Sequence, residues 1–207
     1  MNKLTDLKVD YWFPTPIWMV DLDVNNDELK TACIKLKEDN EGRVYSNRGG
    51  WQSNDLHPEY SVAVFQQLVT KVTEQSDSIL SVDYAQTDRC TAVNNFWINI
   101  NQRGHSNQVH SHPGSFLSAV YYVSVPEGSG SIVFERDSKD SFIMGTFHLS
   151  GHTPVSGVTC EYPPVEGRLL IFPGWLYHSV LPTTTDSERI SIAFNIGLKR
   201  ASFGGLI

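Results

Sequence analysis

The 207-residue chain is poor in cysteine, with only Cys33, Cys90 and Cys160 and no C-x-x-C pair. An odd count without a close pair supplies neither a disulfide framework nor a zinc knuckle. Reduced thiols in a cytosol are the expectation. Long apolar runs are missing as well. No stretch approaches the roughly 18 apolar residues of a membrane span, and residues 1–10 alternate polar and charged positions without the apolar centre of a signal peptide. We therefore expect a cytoplasmic protein with no membrane partner. Positive charge is scarce: 16 Lys and Arg stand against 23 Asp and Glu, a net charge of −7 with a pI of about 5.4. That argues against a protein whose main partner is nucleic acid. No internal repeat or low-complexity segment is present.

What is there is an ordinary globular composition, 40% hydrophobic and 19% charged. The length suits one domain, residues 1–207, with a sizeable core. Residues 1–83 read as helical support with an edge strand, and residues 84–207 as a β core. Residues 11–22 (YWFPTPIWMVDL) form an aromatic strand interrupted by Pro14 and Pro16, which places it at a sheet edge. Asn25 or Asn26 can cap a helix running to about Glu38, with Asp27 and Glu28 in its first turn and Leu29, Cys33 and Leu36 on one face. A second helix from about Glu59 carries Phe65, Leu68, Val69 and Val72 at helical spacing. Its apolar stripe should pack on the outside of a sheet.

After Asp83 the pattern changes. Residues 92–100, 116–125, 131–134, 142–148, 168–172 and 190–196 are rich in β-branched and aromatic residues and read as strands. Residues 128–130, 137–140 and 182–187 supply turns. Short strands without intervening helices predict an antiparallel sandwich or jelly roll.

The chemistry concentrates in a few positions. His110 and His112 are two residues apart, so on a strand they point to one side. His178 follows the strand-like run 167–173 (GRLLIFP). A third histidine from a distant strand can close a three-coordinate face around one metal ion. Iron(II) suits imidazole and oxygen ligands, and three protein ligands leave positions open for a cosubstrate and dioxygen. A closed structural zinc site would want a fourth protein ligand, and none has a clear place. The plainer alternative is a polar loop pair with a hydrogen-bonded core histidine at 178. His57, His105, His148 and His152 lack such context and read as surface, loop or strand-end residues. Arg189 lies in an alternating strand with Ser191 on the same face. A lone arginine there is usually a surface ion-pair partner. Its planar guanidinium can also grip a carboxylate bidentately, with a hydroxyl as a further donor. If buried without a protein partner it needs an anion. Together these residues suggest a non-haem iron site with a dicarboxylate cosubstrate.

His110-x-His112, His178 and Arg189-x-Ser191 resemble the signature of the 2-oxoglutarate and iron(II)-dependent oxygenases, which is H-x-D/E, a distant H, then R-x-S. Residues 117–134 (LSAVYYVSVPEGSGSIVF) are similar to the strand and turn after H-x-D in prolyl-hydroxylase-like members. Residues 168–195 resemble their distal half. More narrowly, the chain resembles a family of oxygenases from phage and bacterial genomes, through Phe13-Pro14-Thr15-Pro16, Gly50-Trp51-Gln52-Ser53, His110-Ser111-His112-Pro113-Gly114 and the distal block. The resemblance covers nearly the whole chain and does not name the primary substrate. It implies a mainly β fold, a double-stranded β-helix (a cupin-like jelly roll) with N-terminal supporting helices. It further implies iron(II) on His110, His112 and His178, and the C5 carboxylate of 2-oxoglutarate on Arg189, Ser191 and Tyr122, with Tyr121 pointing outward. Asn99 and Asn101 would face the cavity, and Trp175 would meet substrate. The implied reaction consumes dioxygen, hydroxylates an unactivated C–H bond and releases succinate and carbon dioxide. A protein or amino-acid side chain is the favoured substrate. In one departure, His112 stands where the family has a carboxylate. Three neutral imidazoles leave iron one negative charge short, which should weaken metal binding. A shifted register, with His112 first and Gly114 second, would leave His110 without a role.

Two other readings compete. Gly104 with His110-x-His112, and Gly167 to His178, also resemble the two cupin motifs. However, residues 113–119 lack the cupin glutamate, and a cupin has no need of Arg189-x-Ser191. A jelly-roll interaction protein with a decayed site is the non-enzymatic alternative. The polar loop from Asn40 to Leu56 is long enough to serve as a lid over the mouth.

Overall fold

Helix α1 (Asn26–Asp39) starts as its sequence requires: the Asn25 side chain accepts a hydrogen bond from Glu28 N, and Asp27 and Glu28 oppose the positive helix end. Leu29 and Cys33 are its fully buried positions, and Leu36 packs partly buried beside them. Helix α2 (Ala63–Val82) buries Phe65, Leu68 and Val72 of the predicted stripe, with Val69 partly buried beside them and Ile79 extending it. It starts four residues later than its pattern suggested. Both helices lie on one face of a large sheet, as their apolar stripes demand. The computed structural model describes residues 10–11, 13–86, 88–136, 139, 142, 146 and 153–200.

Eleven strands are described, all antiparallel: β1 (Trp18–Asp21), β2 (Asn47–Arg48), β3 (Trp51–Gln52), β4 (Arg89–Asn101), β5 (Ser106–His110), β6 (Leu117–Ser124), β7 (Ile132–Glu135), β8 (Thr159–Tyr162), β9 (Arg168–Pro173), β10 (His178–Val180) and β11 (Arg189–Arg200). They form a six-stranded sheet in the order β1-β9-β6-β11-β4-β3 and a five-stranded sheet in the order β2-β5-β10-β7-β8. The predicted edge strand is an edge strand, pairing only with β9. It begins after Pro16, since proline cannot donate to the ladder.

Period-2 alternation divides the large sheet's residues between two cores. Phe96, Ile98, Ile100, Tyr121, Ile190, Ile192 and Phe194 face the helices. Val120, Tyr122, Leu170 and Phe172 face the small sheet, where Phe134 and Leu176 meet them. Tyr121 points away from Tyr122, but not to solvent: it is fully buried, and its hydroxyl donates to Asn26 Oδ1 at 2.7 Å.

The reading of segment 40–56 is corrected, and two other expectations fall mostly outside the described residues. The segment 40–56 is not a free loop. β2 pairs with β5 in one sheet and β3 with β4 in the other, so the segment bridges the edges of both. Gly49 and Gly50 make the crossing with φ of 63° and 70°. A two-residue strand is too short to leave a periodic signal. The expected strand 142–148 lies mostly outside the described residues, and the two described positions, Phe142 and Thr146, have helical backbone. The turn 137–140 also lies outside them apart from Lys139, which is helical as well. Strands β5, β8 and β10 carry too few apolar residues to have been legible.

The glycine crossing gives a direct test. A Cβ at Gly50 would lie 2.8 Å from Asn101 Oδ1 and 3.0 Å from Ile100 O, at a φ that L-residues rarely adopt. Gly50→Ala is expected to cost about 1–3 kcal/mol, seen as a lowered Tm. An unchanged Tm would show that β3 can be displaced freely.

Candidate metal centre

The small sheet and the turn after it bring three histidines together. The imidazole nitrogens of His110, His112 and His178 all lie within 4.8 Å of one another. His110 ends β5 and His178 begins β10, and the two are cross-strand partners. His112 lies beyond the end of β5, so strand periodicity does not align it with His110. Its backbone is pinned by its N–H, which donates to Gly174 O at 2.7 Å, and by its carbonyl, which accepts from Ser115 N at 3.1 Å. The ring packs beside Trp97, with centroids 5.5 Å apart.

A β-bulge aims His110. Between the pairs His178↔His110 and Val180↔Asn107, β5 spends one residue more than β10. The carbonyl of Gln108, in the bulge, turns back to His110 Nδ1 at 2.7 Å. His178 Nδ1 is matched to Leu176 O at 2.9 Å. A carbonyl at Nδ1 fixes the tautomer that carries its proton there, which leaves Nε2 as a free lone pair on both rings. His112 Nε2 and His178 Nε2 are 3.3 Å apart, close to the roughly 3 Å between neighbouring ligands of one ion with bonds of about 2.1 Å. Burial pushes all three imidazoles down, His112 to about 4 and His178 to about 3, and for His112 and His178 the neighbouring rings add to the effect. The set is therefore neutral at pH 7, the protonation state a metal needs. Among the described residues no carboxylate joins it. Gly114 faces open space in a turn with φ 86°.

These lowered values set a stability window for the metal-free protein. The histidines take up protons more readily when unfolded, at about 6.5, so protons favour unfolding. Stability is complete above that value and falls as the pH drops from about 6.5 toward 3. Metal-free Tm should decline over this window and decline less in a His178→Phe variant. Equal slopes would refute the burial argument.

A second cluster lies on the same inner space, across the sandwich. Arg189 begins β11 and is 2% exposed. Its Nη1 donates to Ser191 Oγ at 3.0 Å, its guanidinium carbon stands 5.2 Å from the Tyr122 ring centre, and its Nε has no partner. No carboxylate among the described residues pairs with it. The buried Tyr122 hydroxyl is also unpartnered, and burial raises its pKa against the pull of Arg189. The strand register makes these residues neighbours: Gln52↔Asn99, Asn99↔Ser191 and Ser191↔Tyr122 form one row, with Asn101↔Arg189 beside it. Asn99 Oδ1, Asn101 Oδ1 and Gln52 Oε1 are buried and unpartnered too. Buried polar atoms normally find partners, and here a row of orphans surrounds a guanidinium that pairs with no carboxylate among the described residues.

The family model described as "Putative 2OG-Fe(II) oxygenase" matches residues 95–195, the span that holds all three histidines, Arg189 and Ser191. Over that span the chain is similar to the 2OG-Fe(II) oxygenases. A comparison with curated protein sequences gives no match. Among solved structures, a Pseudomonas putida prolyl-4-hydroxylase is similar at 16% identity, covering 87% of this chain and 92% of that one, with a TM-score of 0.61. The epimerase SnoN from nogalamycin biosynthesis is similar at 13% identity over 90% of this chain and 78% of that one, with a TM-score of 0.64. HygX from Streptomyces hygroscopicus, solved with nickel and 2-oxoglutarate, is similar at 12% identity over 88% of this chain and 83% of that one, with a TM-score of 0.58. These likenesses show the fold, and the expected double-stranded β-helix with supporting helices is borne out.

The fold brings His110, His112 and His178 into one cluster, and Arg189, Ser191, Tyr122, Asn99 and Asn101 into another. Trp175 stands apart, 59% exposed in the turn between β9 and β10. His57 is exposed, and His105 braces the turn before β5 by accepting from Gln102 N at 2.9 Å. His148 and His152 lie outside the described residues. Gln52 of the inner row was not anticipated as a site residue, whereas Trp97 reads from the sequence either as a cleft-lining or as a core aromatic. Trp97 shares the phase of Asn99 and Asn101 in β4, a legible signal. Gln52 had none, because only the register of β3 places it. No described helix is long and apolar enough to cross a membrane.

Proposed function

We propose that the protein is an iron(II)- and 2-oxoglutarate-dependent dioxygenase that hydroxylates an unactivated C–H bond, with residues 1–207 working as one domain. The observation that carries the reading is the buried, unpaired Arg189 on the same interior as a neutral three-histidine cluster. A desolvated guanidinium calls for an anion, and a dicarboxylate that also reaches a metal meets both demands. His110, His112 and His178 would hold iron(II). Arg189, Ser191 and Tyr122 would hold the far carboxylate, and Asn99, Asn101 and Gln52 would close the row around it.

When bound, iron with 2-oxoglutarate and dioxygen supplies the oxidising chemistry, with succinate and carbon dioxide as by-products. The chain supplies geometry. The Gln108 and Leu176 carbonyls fix two imidazoles, and the Gly174 carbonyl holds the His112 backbone. Phe134 and Phe172 wall His178 away from water. All three ligands are neutral, so a bound divalent ion keeps its full charge and draws the anionic cosubstrate more strongly. The primary substrate we favour is a protein or amino-acid side chain, in keeping with the similarity to a prolyl-4-hydroxylase.

A three-histidine cupin centre is favoured by the carboxylate-free ligand set, but it leaves Arg189 unexplained. Anaerobic titration with iron(II) and then 2-oxoglutarate separates the two. A weak visible charge-transfer band on adding 2-oxoglutarate is expected. Iron binding with no band would favour the cupin centre, and no iron binding would remove both.

A further inference from the structure

The turn between β9 and β10 carries two large aromatic side chains that contribute little to either core. Trp175 is 59% exposed and Tyr177 is 52% exposed, while Leu176 between them is buried. With Ser111, Pro113, Leu176 and Glu135 they line a cleft of about 350 Å³. Ser111 and Pro113 flank His112, and Tyr177 precedes His178, so the cleft adjoins the histidine cluster through the chain. Its backbone is fixed: Glu135 N donates to Tyr177 O at 2.9 Å, and His112 N donates to Gly174 O at 2.7 Å. Glu135 is the one charged residue of the lining and pairs with no cation among the described residues.

We propose that this cleft anchors a cationic side chain, lysine or arginine, of a polypeptide substrate. The proposal rests on the oxygenase reading for its purpose: it seats a residue near the one presented to the histidine cluster. The chemistry selects the occupant. An ammonium or guanidinium group can meet Glu135 in a charge-assisted contact, and its alkyl stem can lie along Trp175 and Tyr177 with cation–π attraction at the ring faces. A purely apolar occupant would strip water from Glu135 without replacement. An acidic one would meet Glu135 and a chain of net charge −7.

The test measures anisotropy of fluorescein-labelled pentalysine, pentanorleucine and pentaglutamate with the full-length, iron(II)-loaded protein under anaerobic conditions. Pentalysine should bind at least tenfold more tightly than the other two. Glu135→Gln and Trp175→Ala should each weaken it about tenfold or more. Glu127→Gln, which removes the same charge from the exposed turn after β6, should leave it unchanged. Equal binding in wild type and Glu135→Gln, equal loss in Glu127→Gln, or no preference for pentalysine would each overturn the proposal. The 2-oxoglutarate band is recorded on the same samples. If wild type lacks it, the oxygenase reading fails while the peptide data still decide the cleft. If it persists in both cleft variants, any lost peptide affinity belongs to the cleft.

Discussion

His178→Ala should lower iron(II) affinity by more than about 100-fold and abolish 2-oxoglutarate turnover, with the fold retained. Loss of a partner that merely orients a metal ligand costs about 10–100-fold, and loss of a ligand should exceed that. His178 is 4% exposed, its Nδ1 is held by Leu176 O, and its ring packs on Phe172 with centroids 4.8 Å apart. The ring is thus committed to one orientation, with Nε2 toward His112. Among the described residues no carboxylate joins the cluster to replace it, so the remaining pair of histidines does not complete a three-ligand face. The metal-free variant should fold, because among the described residues the His178 side chain hydrogen-bonds at Leu176 O and His112 alone. Iron titration with circular dichroism as the folding control decides the matter. Wild-type affinity in a folded His178→Ala protein would remove His178 from the centre.

Arg189→Met is expected to raise the Kd for 2-oxoglutarate by about 10²–10³-fold while iron(II) binding stays near wild type. Truncating one side of a buried, hydrogen-bonded charge pair costs about 2–5 kcal/mol, and each 1.4 kcal/mol is tenfold in Kd. The same change should act oppositely on the ligand-free protein. There the guanidinium is buried against Tyr122 and Ser191 with an orphaned Nε and no carboxylate. An apolar side chain of similar length removes that desolvation penalty, so ligand-free Tm should hold or rise. The split between a stability that holds or rises and a cosubstrate affinity that falls is the mark of a residue kept for binding. A variant that loses stability and keeps cosubstrate affinity would make Arg189 a structural residue.

Much of this was legible in the sequence because it lives in local pattern. The Asn25 cap, the stripe of α2 and the alternation in β4, β6 and β11 are written in spacing, and spacing fixes which side chains share a face. Arg189 and Ser191 therefore fall on one face on strand periodicity alone. The signature of His110, His112, His178 and Arg189 named the class of chemistry without any coordinates. The pattern could not say how these residues meet. His112 lies past the end of β5, and it joins His110 only because a bulge turns one ring and the Gly174 carbonyl holds the other's backbone. Gln52 reaches the inner row through a two-residue strand whose register is set entirely by its partner. Segment 40–56, which reads as a loop, is drawn into both sheets by pairing partners distant in the chain. Side-chain period is a property of one strand, whereas register, bulges and edge pairing belong to two or more. The sequence by itself determined the fold class and singled out the three histidines that the fold brings together. Only the tertiary structure decided that three histidines are neutral and convergent, that Arg189 is buried without a partner, and that Trp175, Tyr177 and Glu135 share a cleft beside them.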